Sequence, residues 1–245
     1  MTETGVGGVS IVVPAYAEEV RIARTVRELR AFASGFPRLR EVLVVVEPSG
    51  DRTAEVARQA AGQDPLVEVI ENDTHRGKGF SVRTGMLAAA GDIVFFMDAD
   101  LSVPLSYVAP FVAHLDAHPG TGAVIGNRRH PGSMITRRQP AAREQAGRWF
   151  NRCVRLLGLS ACKDTQCGFK AFRREAVREI FSRTHIDGFA FDVEALFLAR
   201  QLGVRVDELP VEWINDPHTK FRPFGDGWRS FRDLALVRLG ARGPC

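Results

Sequence analysis

The sequence predicts an α/β fold in one continuous domain: a Rossmann-like, mostly parallel central sheet flanked by helices. Three observations predict it. Val9-Ser-Ile-Val-Val13 and Val42-Leu-Val-Val-Val46 are short, rich in β-branched residues and bounded by turn-formers, the pattern of strands covered on both faces. Between them, Val20, Ala23, Val26 and Leu29 recur at helical spacing, so a helix is expected over 18–32. Strand, helix and strand make a βαβ unit with a right-handed crossover, and no linker or repeat interrupts the alternation that follows.

Ser49-Gly-Asp51-Arg-Thr53 supplies turn and N-cap chemistry ahead of a helix at 54–61. A strand at 67–70, a helix at 78–90, a strand at 93–97, a helix at 104–115 and a strand at 123–126 continue the series. Sheets of this kind bind ligands at the carboxyl ends of their strands. Beyond residue 128 the pattern changes. Positions 128–143 read as a polar loop with Pro131, Gly132 and Pro140, and with arginines at 128, 129, 137, 138 and 143. A loop of that length inside a domain is more often functional than idle. Helices are expected at 144–157, 174–182 and 191–202, then a strand at 204–213 and an amphipathic closing helix at 228–239.

Of the 245 residues, 45% are hydrophobic and 25% charged, which excludes a disordered, collagen-like or coiled-coil chain. The formal net charge of +4 suits an anionic ligand or a membrane surface. The arginines are spread along the chain rather than gathered in a stripe, so nucleic acid is not an expected partner. Cys153, Cys162, Cys167 and Cys245 form no C-x-x-C pair and lack zinc-finger histidine spacing; reduced thiols in a cytoplasmic protein are expected. The longest uncharged run, 101–115, contains Pro104 and Pro110 and is too short to span a bilayer. The opening MTETGVGG has no basic start followed by an apolar stretch, so no secretion signal is expected.

Asp98-Ala-Asp100 follows directly on the strand Ile93-Val-Phe-Phe-Met97. Two carboxylates at i and i+2 where a buried strand ends suit a hard divalent cation, which takes oxygen ligands and shares them with phosphates. Taken alone the pair is more often a helix N-cap or a solvated turn. Asn72-Asp-Thr-His75-Arg76-Gly77-Lys78-Gly79 opens the helix after another strand; its glycines allow close backbone approach, and the helix N-terminus with Arg76 and Lys78 favours anions. It matches neither the P-loop nor the G-x-G-x-x-G pattern and, on its own, is also a plain polar turn. Together the two segments point to a diphosphate–metal site.

Ser10-Ile-Val-Val-Pro-Ala-Tyr16-Ala-Glu18-Glu19, His75-Arg-Gly-Lys-Gly79 and Asp98-Ala-Asp100 resemble the ordered motifs of family 2 glycosyltransferases with the GT-A fold. Asp164-Thr-Gln-Cys-Gly-Phe-Lys170-Ala-Phe172 and Phe189-Ala-Phe-Asp192-Val-Glu194 resemble one branch, the dolichyl- or polyprenyl-phosphate glucosyltransferases and their bacterial relatives. The similarity runs in order from about residue 10 to residue 239. It implies inverting transfer of a hexose from a nucleoside diphosphate sugar, with 1–128 as the nucleotide-sugar and metal half and 129–245 as the acceptor half. Asp98 and Asp100 would hold Mg²⁺ or Mn²⁺ against the diphosphate. Pro14, Tyr16 and Glu18 match positions lining the nucleotide pocket, and Lys78 would approach the base or phosphates. Arg128, with Arg137, Arg138 and Arg143, would clamp an acceptor phosphate, since guanidinium binds phosphate bidentately. A hydroxyl acceptor would instead need a general base, for which Asp192 is the candidate; it is equally read as a carboxylate at a helix N-terminus.

The sequence departs from the family pattern in three places. The usual P-A-Y-N-E reads Pro-Ala-Tyr-Ala17-Glu18, and V-D-D-G-S reads Val45-Val46-Glu47-Pro48-Ser49. The resemblance implies a nucleobase contact at position 47, so Glu47 predicts a shifted nucleotide preference. The sequence leads to no expectation of a membrane-spanning segment such as many relatives have. The closing helix either lies on an anionic bilayer as a peripheral contact at the inner membrane face or packs on the domain through Leu234 and Val237. His218, Lys220 and Arg222 resemble a family segment that covers bound nucleotide. The leading expectation is a polyprenyl-phosphate acceptor; the alternatives are a soluble small-molecule acceptor and a nucleotide-sugar-binding protein without turnover.

Overall fold

The computed structural model describes residues 7–137, 141–214, 232–235 and 237–238. Its centre is a sheet of seven strands in the order β3-β2-β1-β4-β7-β5-β8. β1 (Val9–Ala15), β2 (Leu39–Val46), β3 (Val67–Glu71) and β4 (Ile93–Met97) run parallel, joined through α1 (Ile22–Gly35), α2 (Thr53–Ala61) and α3 (Lys78–Ala88). β5 (Thr121–Asn127) follows α4 (Val108–Ala117) and pairs in parallel with β8 (Arg205–Pro210). Between β4 and β5 lies β7 (Phe169–Arg173), antiparallel to both. A separate parallel pair joins β6 (Met134–Arg137) to β9 (Glu212–Ile214). The remaining helices are α5 (Ala141–Leu156), α6 (Arg174–Phe181) and α7 (Phe191–Gln201).

The all-apolar strand runs are explained by two helical layers. Every residue of β1 and β4 is buried. Successive side chains alternate between the layers: Ile11, Val13 and Phe95 pack with Val26 of α1, Ala57 of α2 and Phe111 of α4. Val12, Val45 and Phe96 pack with Val82 and Met86 of α3, Ile180 of α6 and Ala195 of α7. A third cluster joins Phe150 and Val154 of α5 to Val193 and Phe197 of α7 and to Leu234 and Val237. Of the two fates expected for the closing segment, its described residues therefore show the one that packs on the protein. No helix among the described residues is long and apolar enough to cross a membrane.

The structure corrects several element expectations. The first helix starts at Ile22 rather than 18, because Ala17 has a left-handed backbone (φ 52°) and the Glu18 carbonyl closes a turn with the N–H groups of Arg21 and Ile22. The expected loop at 128–143 contains β6, and α5 begins directly after Pro140 in sequence. A single expected strand at 204–213 is two, β8 and β9, which serve different sheets. β7 was expected only as a motif string, not as a strand. Residues 215–231, with His218, Lys220 and Arg222, lie outside the described residues.

Candidate active site

Four elements deliver charge to one place at the carboxyl edge of the sheet. β4 ends at Met97 and releases Asp98 and Asp100; α3 begins with Lys78; α7 begins with Phe191 and Asp192; β7 contributes Lys170, paired in register with Phe96. Lys78 Nζ lies 2.6 Å from Asp98 Oδ1. Lys170 Nζ donates to Asp192 Oδ1 at 2.5 Å and to the Cys167 carbonyl at 2.6 Å, and both residues of that pair are almost wholly buried. Each ammonium also stands 5.3 Å from the centroid of the Phe96 ring, on which cations are favoured.

The electrostatics follow from this packing. Burial alone would lower the Lys78 ammonium, but Asp98, Asp192 and Asp100 outweigh it and raise its pKa. Burial, and then the charge of Asp98, push Asp100 upward, although the Ser102 N–H donates to its Oδ1 at 2.9 Å. Burial also raises Asp192 against the pull of Lys170 and Lys78. Three carboxylates face two ammonium groups, and Asp100 carries the uncompensated charge.

That imbalance is the fit test for a metal. Asp98 and Asp100 offer hard oxygen ligands, and a divalent cation would relieve the repulsion between them. Among the described residues no third His, Cys, Asp or Glu completes a cage, so a cation held there would take its other ligands from phosphate and water.

Glu47 organises the loop that carries Lys78. Its Oε1 accepts from Asn72 Nδ2 (3.1 Å) and Ser81 Oγ (2.9 Å). Its Oε2 accepts from the backbone N–H groups of Arg76 (2.9 Å) and Gly77 (3.0 Å) and lies 2.6 Å from His75 Nδ1. With a side chain only 2% exposed, Glu47 directs both oxygens to its own protein. Gly77, at φ +125°, allows the loop to press on the segment before α7, where a β-carbon would meet the Asp187 carbonyl at 2.6 Å. Asp187 binds Arg76 and Arg83, each at 2.7 Å, while Glu194 accepts from the N–H groups of His185 and Ile186. These bonds fix the start of α7, and hence Asp192, against Lys78.

Tyr16 follows β1, is 44% exposed and stacks on His75 with ring centroids 4.5 Å apart. Pro14 is buried within β1, opposite Val45 of β2. Glu18 pairs with Arg21, and its N–H donates to Thr53 Oγ1 at 2.6 Å. Tyr16 with His75 therefore offers the open aromatic surface here, whereas Pro14 shapes the strand beneath it.

Arg128 is already gripped. Nε and Nη2 donate to the two oxygens of Asp164 at 2.7 and 2.8 Å, and the backbone N–H adds a third bond at 3.0 Å. Against the cost of burial, Arg128 holds the Asp164 carboxyl below the usual range, and the guanidinium lies 5.4 Å from the Trp213 ring centroid. A phosphate can reach only the remaining edge of this guanidinium. Arg137 lies in β6 and Arg143 in α5, with side chains outside the described set, as is all of Arg138. Burial pushes the Cys167 thiol up to about 12. Sequence reasoning missed Lys170 and Asp164 as paired charges; a lysine inside the otherwise apolar Phe169–Phe172 run was the available signal.

The family model described as Glycosyl transferase family 2 matches residues 10–181. The chain belongs to this family. Among family 2 relatives, the dolichyl-phosphate beta-glucosyltransferase of Drosophila melanogaster is 35% identical over 248 residues, covering 93% of this chain and 73% of that protein. The Homo sapiens dolichyl-phosphate beta-glucosyltransferase is 31% identical over 242 residues, covering 94% and 74%. Glucosyl-3-phosphoglycerate synthase from Mycobacterium tuberculosis, crystallised with Mn²⁺, uridine-diphosphate-glucose and phosphoglyceric acid, matches with a TM-score of 0.72 at 19% identity, covering 96% of this chain and 80% of that one. That likeness concerns the fold, which is GT-A. The family 2 chain is a glycosyltransferase.

Proposed function

We propose that this glycosyltransferase moves a hexose from a nucleoside diphosphate sugar to a polyprenyl phosphate, with inversion at the anomeric carbon, and that residues 1–245 act as one domain. The observation that carries the reading is Lys78 seated on Asp98 with Asp100 and Asp192 beside it at the carboxyl edge of the sheet. The names of the Drosophila and human relatives support the acceptor class.

In the proposed step, an acceptor phosphate oxygen attacks the anomeric carbon as the bond to the diphosphate breaks, and the nucleoside diphosphate leaves with the electron pair. Asp98 and Asp100 would hold Mg²⁺ or Mn²⁺, which when bound neutralises charge on the leaving group. Lys78 presents its ammonium from the first turn of α3, where the helix dipole also favours anions. The open edge of Arg128 orients the acceptor phosphate. A phosphate is already ionised near neutral pH, so no strong base is needed. Asp192 then serves to fix Lys78 and Lys170 rather than to remove a proton.

The test is turnover of purified protein with UDP- and GDP-hexoses, Mn²⁺, and either a polyprenyl phosphate or water-soluble acceptors. A lipid-linked sugar phosphate that requires the cation is the expected product. Donor consumption with soluble acceptors alone, or turnover indifferent to chelator, would refute the reading.

A further inference from the structure

Lys170 is a charged residue in the middle of an apolar sheet. It is the second residue of β7, between Phe169 and Ala171, and is only 2% exposed. It pairs in register with Phe96 of β4 on one side and with Ile125 of β5 on the other. Its Nζ donates to the Cys167 carbonyl at 2.6 Å and to Asp192 Oδ1 at 2.5 Å, and the Phe96 ring centroid lies 5.3 Å away. An ammonium has three donors and no acceptor, so these partners fix its place. Desolvating such a pair can cost more than its attraction supplies, and apolar residues of like volume often serve stability as well or better. Stability alone does not explain a charged pair here.

The two anchors of Lys170 lead to the two central groups of the site. Cys167 is followed by Gly168, whose carbonyl accepts the Asp98 N–H at 3.1 Å. The turn that Lys170 holds is therefore the turn on which Asp98 rests. Asp192 lies in the first turn of α7, and the segment before that helix is bonded to the start of α3. There the Asp187 carbonyl accepts from the N–H groups of Gly79 at 2.7 Å and Phe80 at 3.3 Å. The charges of Asp192 and Lys78 also act on each other. One ammonium thus spans the strand turn beneath Asp98 and the helix start beside Lys78, and those two groups meet at 2.6 Å.

We propose that Lys170 is a positioning residue of the transfer reaction: through Cys167 and Gly168 it sets where Asp98 stands, and through Asp192 it sets where Lys78 stands. At its burial Lys170 presents no surface to a donor or an acceptor, so its influence passes through the residues it binds. A carboxylate that shares a cation with a diphosphate, and an ammonium that meets the same diphosphate, must keep their spacing to within about 0.5 Å. Short charge-assisted bonds fix direction as well as distance, which apolar contact does not. This rests on the donor site proposed above, in which Asp98 meets the cation and Lys78 the diphosphate.

The experiment compares the full chain with a double variant, Lys170→Met with Asp192→Leu, which replaces both charges by side chains of like shape. Melting curves read the fold, calorimetry with Mn²⁺ and UDP or GDP reads the donor site, and steady-state transfer separates kcat from acceptor KM. The double variant should melt within about 5 °C of the unaltered chain. It should bind nucleotide about tenfold more weakly and lose about 100-fold in kcat, with acceptor KM changed by less than about threefold. A double variant that binds and turns over like the unaltered chain would overturn the proposal. So would one whose fold is lost, which would assign the pair to stability. Asp192→Asn is the second variant. It keeps the shape of the side chain and an oxygen for Lys170, so more than about a tenth of kcat should remain. A fall of about a thousandfold would make Asp192 a general base and overturn the positioning role. An unaltered chain that binds neither nucleotide with Mn²⁺ would refute the donor site and this proposal with it, whereas binding that the double variant leaves unchanged would refute the positioning role alone.

Discussion

Gly168 and Asp98 stand so close that a β-carbon on Gly168 would lie 1.9 Å from Asp98 Oδ2. Asp98 N–H also donates to the Gly168 carbonyl at 3.1 Å, so the two backbones are already bonded. The carboxylate has room because this residue carries no side chain. Gly168→Ala should displace Asp98 and lower kcat/KM at least about 100-fold while the protein stays folded, since a misplaced catalytic group costs rate before it costs stability. Circular dichroism and steady-state kinetics on one preparation check it.

Burial, and then the charge of Asp98, push the Asp100 carboxyl upward. Asp100→Asn removes a repulsion, so without metal the variant should melt at or above the unaltered chain's temperature. With Mn²⁺ and a nucleoside diphosphate the unaltered chain should gain stability by mass action and the variant should not. Thermal melts with and without the cation decide this; a variant still stabilised by Mn²⁺ would remove the metal assignment.

Both oxygens of Glu47 are surrounded by donors. Glu47→Gln replaces one acceptor with an NH₂ group that must face a donor, leaving a buried N–H unpaired. A loss of about 2–4 kcal/mol is expected from urea unfolding. Because the same bonds hold the Lys78 loop, donor KM should rise as well. An unchanged urea midpoint would remove the organising role given to this carboxylate.

Ala17 adopts φ 52°, a conformation that costs an alanine roughly 1–2 kcal/mol and that asparagine tolerates. Ala17→Asn restores the residue usual in the resembling motif and should stabilise the protein by about 0.5–1 kcal/mol. The same unfolding measurement reads it.

Asp51 and Asp207 contribute to the acid limb of stability. Burial raises both, but Ser49 and Thr53 bonds bring Asp51 to about 2, and His114, Arg205 and Thr121 bring Asp207 to about 2. Each folded value lies below the ordinary 3.8, so the unfolded chain binds the proton first as pH falls. Their contribution is complete above about pH 4 and disappears toward about pH 2. Asp207→Asn should flatten the unfolding midpoint across that window, and a profile as steep as the original would contradict the assignment.

Much of the fold was legible because buried parallel strands announce themselves as largely apolar runs, as at Val42–Val46, and β1, β2 and β4 fell where such runs lie, whereas the edge strand β3 alternates valines with glutamate. β7 was not legible, because it breaks that signature: its second residue is the charged Lys170, whose partner, Asp192, is distant in sequence. β6 and β9 are short edge segments with exposed Met134, Ile135 and Ile214, which local pattern does not distinguish from loop. At the site, Asp98, Asp100, Lys78 and Asp192 were found from strand ends and helix starts, and the structure brings them together. The inward turn of Glu47 and the Asp164 grip on Arg128 depend on donors supplied by remote segments, which spacing alone does not reveal.

The placing of β7 bears on how the chain comes together during synthesis. Residues 93–97 and 121–127 are neighbours only through residues 169–173, so a nascent chain released at about position 128 would have a gap in its sheet. A fragment ending there should bind no sugar nucleotide and should aggregate through the two unpaired strand edges. Ribosome-bound intermediates should become protease-resistant only once residue 173 has cleared the exit tunnel.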